Sequence, residues 1–187
     1  MDSQTALIIL GAIVVIAIAA AAYLLGTKRR SLHLAERFGP EYEREVARTG
    51  DPRKAEAELA QREKRVKKLE IKPLAHEAVE RYIKSWKNIQ ARFVDEPGPA
   101  VSEADGLVRK VMEQRGYPMG TFEQRVADIS VDHPHVVEHY RAAHTIALSR
   151  DKGEASTEDL RQAFLHYRAL FDELLEVAPA EVVVTHP

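Results

Sequence analysis

His135 and His139 are four residues apart, and on an α-helix that spacing brings two imidazoles onto one face. It is the spacing of a paired metal ligand. Around them the chain reads Asp132-His133-Pro134-His135-Val136-Val137-Glu138-His139, its densest cluster of groups able to ligate or titrate. A zinc or related ion could use such a pair. The sequence has no HExxH pattern, however, and no second pair at a fixed spacing to complete a ligand set. The plainer expectation is that Asp132 caps a helix while His135 and His139 face solvent. They stand as candidate metal residues, and no metal or other cofactor is expected.

The other chemistry-bearing residues give less. His144 falls on an apolar stripe with Val137 and Tyr140, where a hydrogen-bonded core histidine is expected before a catalytic base. His166 stands beside Tyr167 with the same status. No serine sits in a GxSxG turn, and there is no cysteine to act as nucleophile. Gly116-Tyr117-Pro118-Met119-Gly120 lacks the Lys-Ser/Thr of a phosphate loop. The cations Lys64, Arg65, Lys67 and Lys68 cluster without interleaved aromatics and among glutamates, so no nucleic-acid partner is expected. No catalytic activity is expected either.

These residues must be positioned by helices. After residue 25 no run alternates with period two before the last residues, which excludes a sheet. A charged stretch, 32–48, is interrupted at Gly39-Pro40. Asp51 is a fitting N-cap, with Pro52 at the first helical position. The next helix carries only a thin apolar stripe: Ala55, Leu59, Val66 and Leu69. Stronger stripes follow. Val79, Tyr82, Ile83, Trp86, Ile89 and Phe93 share one face of a helix over 75–94. After a turn cluster at 95–99, a helix runs to Arg115, with Gly116 ending it. Thr121 caps a short helix, and Asp132-His133-Pro134 opens another. Ser156 with Asp159 resembles a capping box before the last helix. The fold class is therefore all-α, with a distal antiparallel bundle of four or five helices.

Residues 6–25 form an unbroken apolar run, followed directly by Lys28-Arg29-Arg30. Twenty residues at about 1.5 Å each reach about 30 Å, the thickness of a bilayer's hydrocarbon core. Asp2 precedes the run and no Lys or Arg does, so the segment reads as an uncleaved transmembrane helix, not a secretory signal. Lys28, Arg29, Arg30 and Arg37 place the following chain on the cytoplasmic side by the positive-inside rule. They are the candidate lipid-facing cations. Residues 26–72 hold 14 Lys/Arg against 9 Asp/Glu, and residues 73–187 hold 13 against 19. A basic segment is drawn to an anionic leaflet and an acidic one is repelled. The expected organisation is a short outer N-terminus (1–5), the span (6–25), a charged juxtamembrane stalk (26–72), the bundle (73–177) and a loose tail (178–187).

Several strings are familiar together: Arg37-Phe38-Gly39-Pro40-Glu41-Tyr42, Ala57-Glu58-Leu59-Ala60-Gln61-Arg62-Glu63-Lys64-Arg65-Val66, Arg115-Gly116-Tyr117-Pro118, and Ser130-Val131-Asp132-His133-Pro134 leading into Val136-Val137-Glu138-His139-Tyr140-Arg141. They resemble a family of small, uncharacterised single-pass membrane or "secreted" proteins of actinobacteria and proteobacteria. The resemblance implies a bacterial cell-membrane setting. It brings no activity, cofactor or site residue.

Two functional expectations follow. The first is a membrane-tethered helical scaffold that binds a protein partner or a second copy of itself. Membrane lipid would be its other partner, and Trp86, Tyr140 and Tyr167 would mark the binding faces. The second is a small-ligand or metal-sensing domain that uses Asp132, His133, His139 and His144 as polar lining.

Overall fold

The computed structural model describes residues 3–175; the side chains of residues 3–10, 12 and 23 fall outside that description. The expected tail at 178–187 and the first two residues of the expected outer N-terminus also lie outside it. All regular structure among the described residues is helical. The chain divides into two compact units, Met1–Ala60 and Gln61–Pro187.

The first unit opens with one long helix, α1 (Ser3–Phe38). The apolar run and the charged segment after it are a single helix, because Gly26 alone does not break one and the next true breaker is Gly39-Pro40. Gly39 takes φ 48°, a left-handed value that favours glycine, and Pro40 then starts α2 (Pro40–Thr49). The Oδ1 of Asp51 accepts the Arg53 amide at 2.9 Å, the expected cap of α3 (Pro52–Val66). Leu34, Phe38, Ala55 and Leu59 are buried in this unit. Ile13, Val14, Val15, Ile16, Ile18, Leu24 and Leu25 are exposed. Among the described residues no helix is long and apolar enough to cross a membrane. Seven side chains of the run, at 6–10, 12 and 23, stand outside that statement.

The second unit is the bundle: α4 (His76–Arg92), α5 (Pro97–Arg115), α6 (Phe122–Asp132), α7 (Val137–Asp151) and α8 (Thr157–Leu174). Directions follow from the pairs in contact. Tyr82 reaches Gln114 while Arg92 reaches Glu103, so α4 and α5 are antiparallel. His133, just before α7, meets Glu173 while His139 meets His166, so α7 and α8 are antiparallel as well. One core joins them, built around Trp86, Met112, Ile129, Tyr140, Tyr167 and Phe171. Trp86 packs on Phe171 with ring centroids 4.7 Å apart and on Phe164 at 4.9 Å. Such aromatic pairs each add about 0.5–1.5 kcal/mol beyond the area they bury.

Three local readings differ from the sequence. The compact units divide at 60/61, inside α3, while the charge pattern sets the stalk boundary at 72/73. Residues 61–72 belong with the bundle through two ties: Arg65 binds Asp128 on α6, and the Lys72 amide donates to the Arg115 carbonyl at 2.9 Å. The turn cluster is shorter than expected, since α5 already starts at Pro97, where a proline lacks only a hydrogen bond the first turn never makes. Finally, Asp132 ends α6 and does not cap α7. His133 precedes a proline, which keeps it out of the helical region (φ −129°, ψ 55°), and a 3-10 turn, Pro134–Val136, intervenes before α7.

Candidate functional site

The ends of α5, α6 and α8 meet at an open cleft of about 740 Å³. Its polar members are Arg115, Asp132, His133, Asp172 and Glu173, with Ile71 and Pro73 along one side. Each is placed by local chain geometry. Arg115 is the last residue of α5, and Gly116 after it has φ 99°. A side chain at 116 would stand 2.6 Å from the Glu70 carbonyl oxygen, so only glycine lets the 70–73 segment close over the helix end. His133 sits at the joint forced by Pro134. Glu173 and Asp172 come from the last turn of α8.

Arg115 is buried, and donates from Nη1 to the Leu174 carbonyl at 3.2 Å and from Nε to the Lys72 carbonyl at 3.3 Å. His133 is buried as well. Its Nδ1 lies 3.0 Å from Glu173 Oε1, and its Nε2 lies 3.5 Å from Arg115 Nη1. An arginine only donates, so the hydrogen bonds assign the proton to Nδ1, which donates to Glu173. The order is thus Arg115, His133, Glu173. Asp172 accepts from Arg168 Nε at 2.6 Å. Asp132 is exposed at the rim.

A histidine oriented by a carboxylate resembles a general base, but here the other ring nitrogen faces a guanidinium and not open space. The lining holds no serine or cysteine to activate. Three carboxylates and one guanidinium line the cleft, with Glu173 engaged by His133 and Asp172 by Arg168.

The remaining sequence candidates lie elsewhere. His139 meets His166, with their Nδ1 atoms 2.9 Å apart. His135 is exposed on the 3-10 turn, so the two histidines do not share one α-helical face as the spacing suggests. Among the described residues no cluster of three or more His, Cys, Asp or Glu is arranged to hold a metal ion. His144 stacks flat on Phe122 with centroids 3.6 Å apart, and burial holds its imidazole below the usual histidine range. It lines a smaller cleft, about 260 Å³, with Ser102, Asp105, Arg109, Arg150 and Tyr167. Burial, then Asp105, pushes the Tyr167 phenol far up.

The aromatic faces need correction. Trp86, Tyr140 and Tyr167 are among the largest fully buried side chains, and they form core, not surface. Their helical spacing reflects the packing stripe of each helix. The Tyr140 hydroxyl accepts from Arg125 Nε at 2.9 Å, which gives its polar end a partner inside the fold. Arg37 also differs from expectation, since it is half-buried, while Lys28, Arg29 and Arg30 are exposed. Arg115, Asp172 and Glu173 were not among the candidates. In sequence they look like helix-end charges, and 59 positions separate Arg115 from Leu174, whose carbonyl it binds.

Compared with protein-family models, curated proteins and solved structures, the chain matches none.

Proposed function

We propose that this chain is a helical binding domain tethered to the inner membrane of a bacterial cell, acting by association and not by catalysis. The observation that carries the reading is the exposure of α1. Ile13, Val15, Ile16, Ile18, Leu24 and Leu25 are each 57–67% exposed. A helix that is apolar on every side belongs in a protein core or in lipid. The described apolar side chains of this run are thus mostly open to the surroundings, and the sequence run of 20 residues matches a bilayer. Lys28, Arg29 and Arg30 follow it and hold the C-terminal side in the cytoplasm. The partner is a protein or a second copy of this chain, engaged at the Asp132–Glu173 cleft.

A second reading keeps the tether and makes the domain a sensor of a small cationic ligand. The favouring observation is the cleft itself, which brings Asp132 and His133 to one concave site. A photo-crosslinking residue at Asp132, used in intact cells, separates the two. The first reading expects a crosslinked band that is absent with the probe at exposed Glu154. If neither probe captures a band and the purified full chain stays monomeric, the first reading fails.

A further inference from the structure

We propose that the first unit carries a binding groove for the phosphate of an anionic phospholipid headgroup, a site that rests on the membrane reading above. The groove, about 440 Å³, lies between α1 and α3. It is lined by Leu24, Lys28, Arg30 and Ser31 from α1 and by Arg53 and Glu56 from α3. Three observations point to its ligand.

The first is charge without carboxylate partners. Cations elsewhere in the chain are commonly matched, as in Arg92 with Glu103, Arg109 with Asp105, Arg161 with Glu158 and Arg168 with Asp172. Lys28, Arg30 and Arg53 form no ion pair among the described residues, although they share one groove. The one carboxylate there is Glu56, which already accepts the Tyr42 hydroxyl at 2.9 Å. Three cations against one carboxylate leave the groove with a net positive field, suited to a phosphate diester.

The second is depth. Lys28 to Ser31 follow Leu25 by three to six residues, about 5–9 Å along the helix at 1.5 Å each. That is the depth of the headgroup layer beyond the hydrocarbon core. The third is mixed chemistry. On α1 the lining passes from Leu24, within the apolar run, to Lys28, Arg30 and the Ser31 hydroxyl one to two turns further on. An acyl chain leaving a phosphate has this same polarity, and a free phosphate does not.

Arg53 separates a built groove from general attraction between a basic stretch and an anionic surface. It sits on another helix, and its neighbour Lys54, exposed as Arg53 is, does not line the groove. The test uses the purified full chain reconstituted into vesicles of phosphatidylcholine alone or with 30% phosphatidylglycerol, and reads enrichment of labelled phosphatidylglycerol around the protein. Arg53→Gln should lower that enrichment about tenfold, the loss expected for one charge-assisted hydrogen bond to a phosphate, while Lys54→Gln changes it far less. Equal losses from the two variants, or no preference for phosphatidylglycerol, would overturn the groove while leaving the tether intact. Competition by millimolar inorganic phosphate would reassign the site to a soluble anion and overturn the lipid assignment. A chain that fails to float even with neutral vesicles would instead remove the membrane reading beneath it.

Discussion

His139 on α7 and His166 on α8 face each other with their Nδ1 atoms 2.9 Å apart. At that distance one nitrogen donates and the other accepts, so two imidazolium rings cannot keep the bond. Burial, and then the charge on His139, hold the His166 imidazole below its ordinary value of 6.5. The unfolded chain takes up this proton near 6.5 and the folded chain only at lower pH. In that window the unfolded state holds more protons, and stability rises with pH. The contribution is whole above 6.5 and is lost as pH falls through the folded value. The urea midpoint should therefore drop between pH 7.5 and 5.5, and His166→Asn should flatten the drop. Parallel profiles for the two proteins would contradict this.

Trp86 is 1% exposed and Ile83, one turn away on α4, is 38% exposed. Trp86→Ala removes the ring that packs on Phe164 and Phe171 and should cost about 3–5 kcal/mol in urea unfolding. Ile83→Ala should cost below about 1 kcal/mol. Similar losses from both would mean that the aromatic stripe is not core.

Asp128 is fully buried on α6 and accepts from Arg65 Nε at 2.8 Å and from Gln124 Nε2 at 3.0 Å. Arg65 is 35% exposed, so removing the carboxylate leaves its guanidinium partly to water but takes an acceptor from both Arg65 and Gln124. Asp128→Ala should destabilise the protein by about 2 kcal/mol, measured as a shift in thermal unfolding. A shift within error would show that the tie between 61–66 and the bundle carries no weight.

Gly116→Ala should be severe for a reason that no contact of glycine reveals. The position has φ 99°, and the added Cβ would meet the Glu70 carbonyl oxygen at 2.6 Å. The expected cost is at least about 2 kcal/mol, with faster amide exchange at Lys72, whose amide binds Arg115. Wild-type exchange in this variant would mean that the 70–73 segment is not held by that close approach.

The helices were legible in sequence because their signals are local. Gly39-Pro40, Asp51-Pro52, Thr121 and Ser156 with Asp159 each act within one turn, and each lies at an observed helix end. Leu160, Phe164, Tyr167, Leu170, Phe171 and Leu174 recur at helical spacing along α8, and all six are buried. The cleft was only half legible. Asp132 and His133 drew notice as a cluster, but Arg115 and Glu173 reach them from helices that are distant in sequence. Aromatic residues misled as surface markers, since periodicity reports that a face is apolar and not whether another helix covers it. His135 and His139 misled through a single proline, which replaced an α-turn by a 3-10 turn between them.

The most direct test of the tether uses the absence of native cysteine. Single cysteines introduced as Ser3→Cys and Lys152→Cys report opposite sides of residues 6–25. In spheroplasts, a membrane-impermeant maleimide should label the Ser3→Cys protein at once and the Lys152→Cys protein only after detergent permeabilisation. Labelling of Lys152→Cys in sealed spheroplasts, or release of either protein from membranes by alkaline carbonate, would contradict it.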